Sequence, residues 1–295
     1  MTTLAALDVG VMAQLAALLE VSAPKPGNVS PGRGFHDARY EDFLASAAAI
    51  GGPLAGAGTR PLGSTIRLAV EATAHWTSSN TNLGIVLLLT PLARAAVLEP
   101  HPDRLRDSLR QVLDATTVND ARDVYAAIRR AAPGGLGGAA AQDVSGEPTV
   151  TLLDTMRLAA DRDTIAREYA TAYAVTFETA APALCRARGS GLSWDDAIVE
   201  TFLSVLAVVP DTHIARRGGD ELAAEVTRRA HDVLAAGGVR SSDGRRAIDA
   251  FDRMLRDERH LGNPGTTADL TAAAIFVVLA RGGWTLSGGG HDAPR

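Results

Sequence analysis

The sequence predicts an all-α fold, a single domain of about 11 helices. Three observations carry that expectation. Apolar residues recur at helical spacing through most of the chain, whereas period-2 alternation of β-branched residues is almost absent. Gly- and Pro-rich joints at 23–34, 51–63, 132–148 and 261–266 punctuate the pattern, and none is long or polar enough for an interdomain linker. A length of 295 residues with 46% hydrophobic content is ample for one sizeable core.

In chain order, the periodicity predicts helices over 4–19, 40–50, 63–75, 82–98, 104–116, 120–131, 164–186, 194–208, 220–235, 244–259 and 267–280. Several carry start signals. Asp103 precedes an amphipathic run, Ser193 precedes Trp194-Asp195-Asp196, and Thr266 with Asp269 makes a capping-box-like pair. Gly237-Gly238 and Gly282-Gly283 read as stops. The most apolar stretch, 83–98, contains Pro91 and Arg94 and is too short to span a bilayer, so it reads as a core helix. Residues 1–284 form the domain, and the Gly-rich tail 285–295 reads as disordered. No basic-then-apolar leader opens the chain, which points to the cytoplasm and to no membrane partner.

A formal charge of −5 argues against nucleic acid as a partner. The single Cys185 excludes an intramolecular disulfide and a cysteine-based zinc site. Of 29 basic residues only Lys25 is Lys. Where every other cation is Arg, a retained Lys marks a place needing a compact ammonium on a flexible stem. Pro24, Pro26 and Gly27 fix the backbone around it, so the head group is aimed.

Chemistry-bearing residues collect in the joints. The loop from Lys25 to Asp37 offers Lys25, Asn28 and Arg33 for phosphate, with His36 or Asp37 for proton transfer. Asn80 and Asn82 stand at the mouth of the most apolar helix, where free N–H groups and the helix dipole favour anions. Thr266 and Thr267 repeat the arrangement near the C-terminus, so two helix mouths could hold two ends of a polyphosphate. Carboxylates recur as Asp120 with Asp123, Asp161 with Asp163 and Glu168, and Asp211 beside His213. Hard oxygen ligands suit Mg²⁺ arriving with nucleotide phosphates, which makes Asp161, Asp163, Asp211 and Asp269 candidate ligands. A solvated face with Arg partners, such as Asp163 with Arg167, is the plainer alternative. Arg216-Arg217 suits bidentate phosphate recognition. The Gly run at 134–138 lacks the spacing and terminal Lys of a P-loop.

Five of these pieces in this order resemble the triphosphoribosyl-dephospho-CoA synthase family: PKPGN at 24–28, FHDARYEDFLASA at 35–47, NTNLG at 80–84, PDTHIARRGG at 210–219 and GNPGTTADL at 262–270. The resemblance spans roughly residues 20–280. Those enzymes make the prosthetic-group precursor of citrate lyase and malonate decarboxylase. The resemblance implies a helical fold that uses ATP in an unusual way. A 2′-hydroxyl of dephospho-CoA attacks the ribose C1′, adenine leaves and the triphosphate is retained. It implies Lys25, Asn28, Arg216 and Arg217 on the phosphates, and leaves Asp37 and Asp211 for base or Mg²⁺ work; His36 in the loop and His213 beside Asp211 are catalytic candidates on the residues themselves. One departure is visible. Where the citrate-lyase enzymes carry His-Lys, this chain has Asn82-Leu83, as in a divergent branch of archaea and methylotrophic bacteria. Two alternatives stay open on that ground: ribosyl-phosphate transfer in the synthesis of a methanopterin-type one-carbon carrier, and nucleotide binding without turnover. A helical nucleotide pyrophosphohydrolase lacks its Glu-Xaa-Xaa-Glu pattern here. The expected partners are a nucleotide and a small-molecule acceptor, and the apolar helix faces leave a homodimer open.

Overall fold

The computed structural model describes residues 6–35, 38–99, 101–256 and 259–284. Among them run fifteen α-helices: α1 (Ala6–Ser22), α2 (Tyr40–Ala49), α3 (Gly51–Ala55), α4 (Leu62–Ala74), α5 (Leu83–Leu98), α6 (Leu105–Asp114), α7 (Val118–Ala131), α8 (Leu152–Ala159), α9 (Thr164–Ala170), α10 (Ala181–Gly189), α11 (Trp194–Leu206), α12 (Thr212–Gly218), α13 (Asp220–Ala235), α14 (Ser242–Leu255) and α15 (Gly265–Ala280). No β-strand occurs among the described residues. The expected all-α class holds. The expectation for the tail at 285–295 lies outside the described residues.

Two helices organise the rest. In α5 and α15 almost every residue beyond the first turn is buried, because neither has a polar stripe to turn toward water. They pack on one another, and α1, α10 and α11 close around α15. Amphipathic α6 covers α5, and amphipathic α7 covers α4. Pro91 inside α5 has no N–H to give, so the carbonyl of Leu87, four residues back, loses its helical donor. The buried Tyr169 hydroxyl donates to that carbonyl at 2.6 Å, and the Tyr173 hydroxyl donates to the Leu88 carbonyl at 3.0 Å. Burial drives both phenol pKa values upward, which keeps them as donors.

The helices beyond the 11 expected are short pieces with local causes. The segment expected as one helix over 164–186 breaks into α9, a π-helical turn at Val175–Ala180, and α10. Ala172 and Tyr173 adopt φ of 48° and 61°, and the buried carboxylate of Glu168 caps the restart. It accepts from the Val175 and Thr176 amides at 2.8 and 2.9 Å and from the Thr176 hydroxyl. Glu168 is thus a cap, not part of a cation site. Helix α8 starts on Thr151, whose hydroxyl accepts from the Asp154 amide at 3.2 Å. Asp120 and Asp123 likewise hold structure. Asp120 accepts from the Thr117 amide and hydroxyl and, across the interface with α4, from the Gly63 amide at 2.8 Å. Asp123 pairs with Arg67 at 2.9 Å.

Ser193 caps α11, and Gly237 at φ 105° follows the end of α13, both as expected. Two expected starts differ. Asp103 falls in a 3-10 turn, Pro102–Arg104, and α6 begins without a side-chain cap. The Thr266–Asp269 pair forms no capping box, because the cap of α15 comes from another segment.

Candidate active site

The loop 23–33, the start of α5, the 210–217 segment and the mouth of α15 converge. The first of these is anchored by its Lys. The Lys25 side chain is fully buried; its ammonium pairs with Glu20 Oε1 at 2.9 Å and donates to the backbone carbonyls of Glu20 and, at 3.2 Å, Ala23. These three contacts consume its three N–H donors. The head group is aimed, as expected, but inward. Burial pushes the Glu20 carboxyl up and Lys25 opposes that rise.

Beyond Lys25, the loop is sewn to α14 and to the mouth of α15. Asp252 accepts from the Gly27 amide at 2.8 Å and pairs with Arg33 and Arg256, and Arg256 donates to the Asn28 carbonyl at 2.6 Å. Gly27 has φ 73°, and a Cβ there would lie 2.9 Å from Leu255 and 3.0 Å from Pro264, so only Gly fits. The Asn28 amide nitrogen donates to Asn263 Oδ1 at 2.7 Å.

Asp211, expected as a base or Mg²⁺ ligand, is instead a bracket between two helices. One oxygen accepts from the His213 and Ile214 amides at 2.8 and 3.1 Å, capping α12. The other accepts from the amide and hydroxyl of Thr267, each at 2.7 Å, capping α15. These four bonds fill the acceptor capacity of a carboxylate, so Asp211 ties the start of α12 to the mouth of α15. Thr266 and Thr267, expected on phosphate, serve the same joint, with the Thr266 hydroxyl 3.2 Å from that of Thr212.

The Arg pair is also engaged. Arg216 forms an ion pair with Asp163, which caps α9 by accepting from the Ala166 amide at 3.0 Å. Asp163 therefore does not pair with Arg167 in the simple i,i+4 manner. Arg217, exposed, donates to the carbonyls of Arg259 and His260 at 2.8 and 3.3 Å and touches His213 Nε2 at 3.4 Å. That contact has the His213 ring accept through Nε2, an assignment of tautomer. The His213 ring packs on Gly265, and its pKa is lowered, chiefly by burial, with Asp211 pulling the other way.

Asp269 differs from all these groups. Its carboxyl makes no hydrogen bond or ion pair among the described residues. It lies against Gly84 in the first turn of α5, where a Cβ would come within 2.0 Å of Oδ2. Its pKa is raised well above the ordinary Asp value, first by burial and then by the negative charges of Glu20 and Asp211. Glu20, Asp211 and Asp163 each have partners; of these four carboxyls only that of Asp269 is left to meet a ligand. Replacing Gly84 by Ala is expected to push this carboxyl aside. Activity should fall by about an order of magnitude or more, since an ångström of misplacement at reacting groups costs that much. Kinetics alongside a melting curve check the prediction.

The remaining expectations divide. Asn82 is buried and donates to the Ser46 carbonyl at 3.3 Å and the Thr73 hydroxyl at 3.1 Å, so it braces α5 against α2 and α4. Asn80 is exposed, and its oxygen accepts from the Leu83 amide at 3.2 Å. Asp161 is exposed ahead of α9. His36 and Asp37 lie outside the described residues. Among the described residues no group of three or more His, Cys, Asp or Glu is arranged to hold a metal ion. No helix among them is long and apolar enough to cross a membrane. Sequence reasoning missed Glu20 as the partner of Lys25, though an acid inside the run Leu18-Leu19-Glu20-Val21 was the available signal.

A helical protein that places a carboxyl of raised pKa and an imidazole of lowered pKa at one helix mouth has the makings of an acid–base catalyst on a small molecule. Comparison with known proteins is consistent with this. The model of the ATP:dephospho-CoA triphosphoribosyl transferase family matches residues 6–287, and the chain belongs to that family. A protein of Pseudomonas syringae pv. tomato described as a probable 2-(5''-triphosphoribosyl)-3'-dephosphocoenzyme-A synthase is 30% identical over 210 residues, 70% of this chain and 63% of that protein. One of the same description from Pseudomonas paraeruginosa is 38% identical over 106 residues, so the match spans 36% of its length. A crystal structure from Archaeoglobus fulgidus, provisionally assigned as a triphosphoribosyl-dephospho-CoA synthase, superposes with a TM-score of 0.64 at 27% identity. The superposition covers 81% of this chain and 99% of that one.

Proposed function

We propose that the protein transfers the 5-triphosphoribosyl group of ATP to a hydroxyl of a dephospho-CoA-like acceptor, releasing adenine. Family membership supports the reaction class. The observation that carries it to particular atoms is the unpartnered Asp269 carboxyl where the family's motif segments meet.

In this reaction the C1′–N9 bond of ATP breaks and its electron pair leaves with adenine, while the acceptor oxygen bonds to C1′. The acceptor hydroxyl loses a proton and adenine gains one. Asp269, its pKa raised by burial and by the charges of Glu20 and Asp211, donates the proton to the departing base. Its carboxylate then stands beside the positive charge developing on the ribose and stabilises it. His213, held neutral, takes the hydroxyl proton. Environments that push an acid upward and a base downward suit this division of roles at neutral pH. Solvent exchange returns His213 and Asp269 to their starting states.

Arg216 and Arg217 border the site and supply guanidinium donors to the triphosphate by exchanging their present partners for phosphate oxygens. Lys25 acts at one remove, holding Glu20 in place beside Asp269. Mg²⁺ bound to the triphosphate would offset part of its charge. With Asp211 saturated and Asp163 paired, one or two carboxylates at most would meet it, which is the usual manner of nucleotide-bound Mg²⁺. The test is incubation of folded protein with ATP, Mg²⁺ and dephospho-CoA, followed by chromatography for free adenine. Adenine in step with a triphosphoribosylated acceptor is expected. No adenine, or adenine without transfer, refutes the proposal.

A further inference from the structure

A cavity of about 290 Å³ opens between the C-terminal end of α4, the turn 77–82 and the end of α7. Its walls include Val70, Trp76, Ser78, Asn80, Leu83 and Arg130. Trp76 is 66% exposed, an unusual position for the largest apolar side chain. His75 packs edge-on against it, with ring centroids 5.5 Å apart and an interplanar angle of 85°. Arg130, at the end of α7, is exposed and makes no hydrogen bond or ion pair among the described residues. An exposed indole and an uncommitted guanidinium, flanked by hydroxyl and amide groups, form a surface for a flat heteroaromatic ring with an anionic substituent.

The volume narrows the choice. It lies at the lower edge of the roughly 300–1,000 Å³ range of small-molecule pockets, which suits a ring system and sugar rather than a whole nucleoside triphosphate or a whole CoA-type molecule. Position narrows it further. Leu83 lines the cavity, and the next residue, Gly84, lies against Asp269. The first turn of α5 thus separates the cavity from the reacting carboxyl by a single residue.

We propose that this cavity binds the adenine ring of an adenine nucleotide, stacked on Trp76, with Arg130 meeting its phosphate. The proposal rests on the transferase reading, which offers two adenine-bearing molecules of the same chemistry, ATP as donor and dephospho-CoA as acceptor.

Intrinsic fluorescence tests it on the intact protein without turnover. The other indoles, Trp194 and Trp284, stack on one another at 5.6 Å, so Trp76→Phe removes the signal of the cavity alone. Titration with ATP, with dephospho-CoA and with inorganic triphosphate is read by quenching. Quenching by ATP alone assigns the cavity to the donor, by dephospho-CoA alone to the acceptor, and by both to either. In each case the quench should vanish in Trp76→Phe, and Trp76→Ala should weaken binding, measured calorimetrically, about 5- to 150-fold. Arg130→Gln should weaken the nucleotide but not adenosine. No Trp76-dependent quench by either nucleotide, or an equal quench by inorganic triphosphate, overturns the proposal. Adenine release left unchanged in Trp76→Ala and Arg130→Gln sinks the cavity and spares the transferase reading. A Trp76-dependent quench without any adenine release does the reverse.

Discussion

Asp269→Asn is expected to lower the rate of adenine release by about 100- to 10,000-fold, the range that a positioned acid contributes. The fold should survive, because the carboxyl makes no hydrogen bond or ion pair that the amide would break. The pH dependence carries more information than the rate. With Asp269 raised and His213 lowered, activity should rise with pH through the imidazole's titration, below its ordinary 6.5, and fall again as Asp269 ionises. His213→Gln should erase the acid limb and Asp269→Asn the alkaline one. Stability should report the same group. A carboxyl whose pKa is higher in the folded than in the unfolded state contributes stability that is full below its unfolded value and is lost as pH rises through the folded one. Wild-type stability should therefore decline above the ordinary carboxylate range more steeply than that of Asp269→Asn. Urea melts across pH check this, and parallel curves for the two proteins would show that Asp269 titrates as an ordinary surface acid.

Lys25→Met is expected to cost about 3–5 kcal/mol of stability at neutral pH, since it leaves Glu20 as an uncompensated charge in the interior. The double variant Glu20→Gln with Lys25→Met should recover much of that loss, because both charges are then gone. Lys25→Arg should not rescue. A planar fork with five donors cannot enter a niche shaped for three, in which the side chain has no exposed surface. Chemical denaturation gives the free energies and the adenine assay the activity. If Lys25→Met melts like wild type yet loses all activity, the ammonium serves the ligand directly and the buried pair is dispensable to the fold.

The fold was largely legible in the sequence where single helices obey their own chemistry. The 3.6-residue period gave α1, α4, α5, α7, α11, α13 and α15 to within a few residues, and Ser193 and Gly237 punctuate the chain locally. It failed where a helix end is set by a side chain outside that helix's own first turn. The restart after Tyr173 depends on Glu168 folding back, and the mouth of α15 is capped by Asp211 from 56 residues earlier. Neither has a signature at its own position. The site shows the same division. Residue types at the joints marked Lys25, Asp211, Thr267 and Asp269 as unusual, and the joints do meet. Which of them remain free for chemistry is a matter of partners. Asp211 and Thr267 are used up by a bond across 56 residues that no spacing rule reveals, Lys25 by Glu20 five residues before it, and Asp269 stands out because its carboxyl has no such partner.

The most direct test is a crystal structure of the protein with a non-reacting ATP analogue and Mg²⁺. The account predicts a basic ring nitrogen of adenine within hydrogen-bonding reach of the Asp269 carboxyl, at the first turn of α5, with the ribose C1′ beside it and the triphosphate extending toward Arg216 and Arg217. Nucleotide bound on another face of the molecule, with Asp269 untouched, would contradict it.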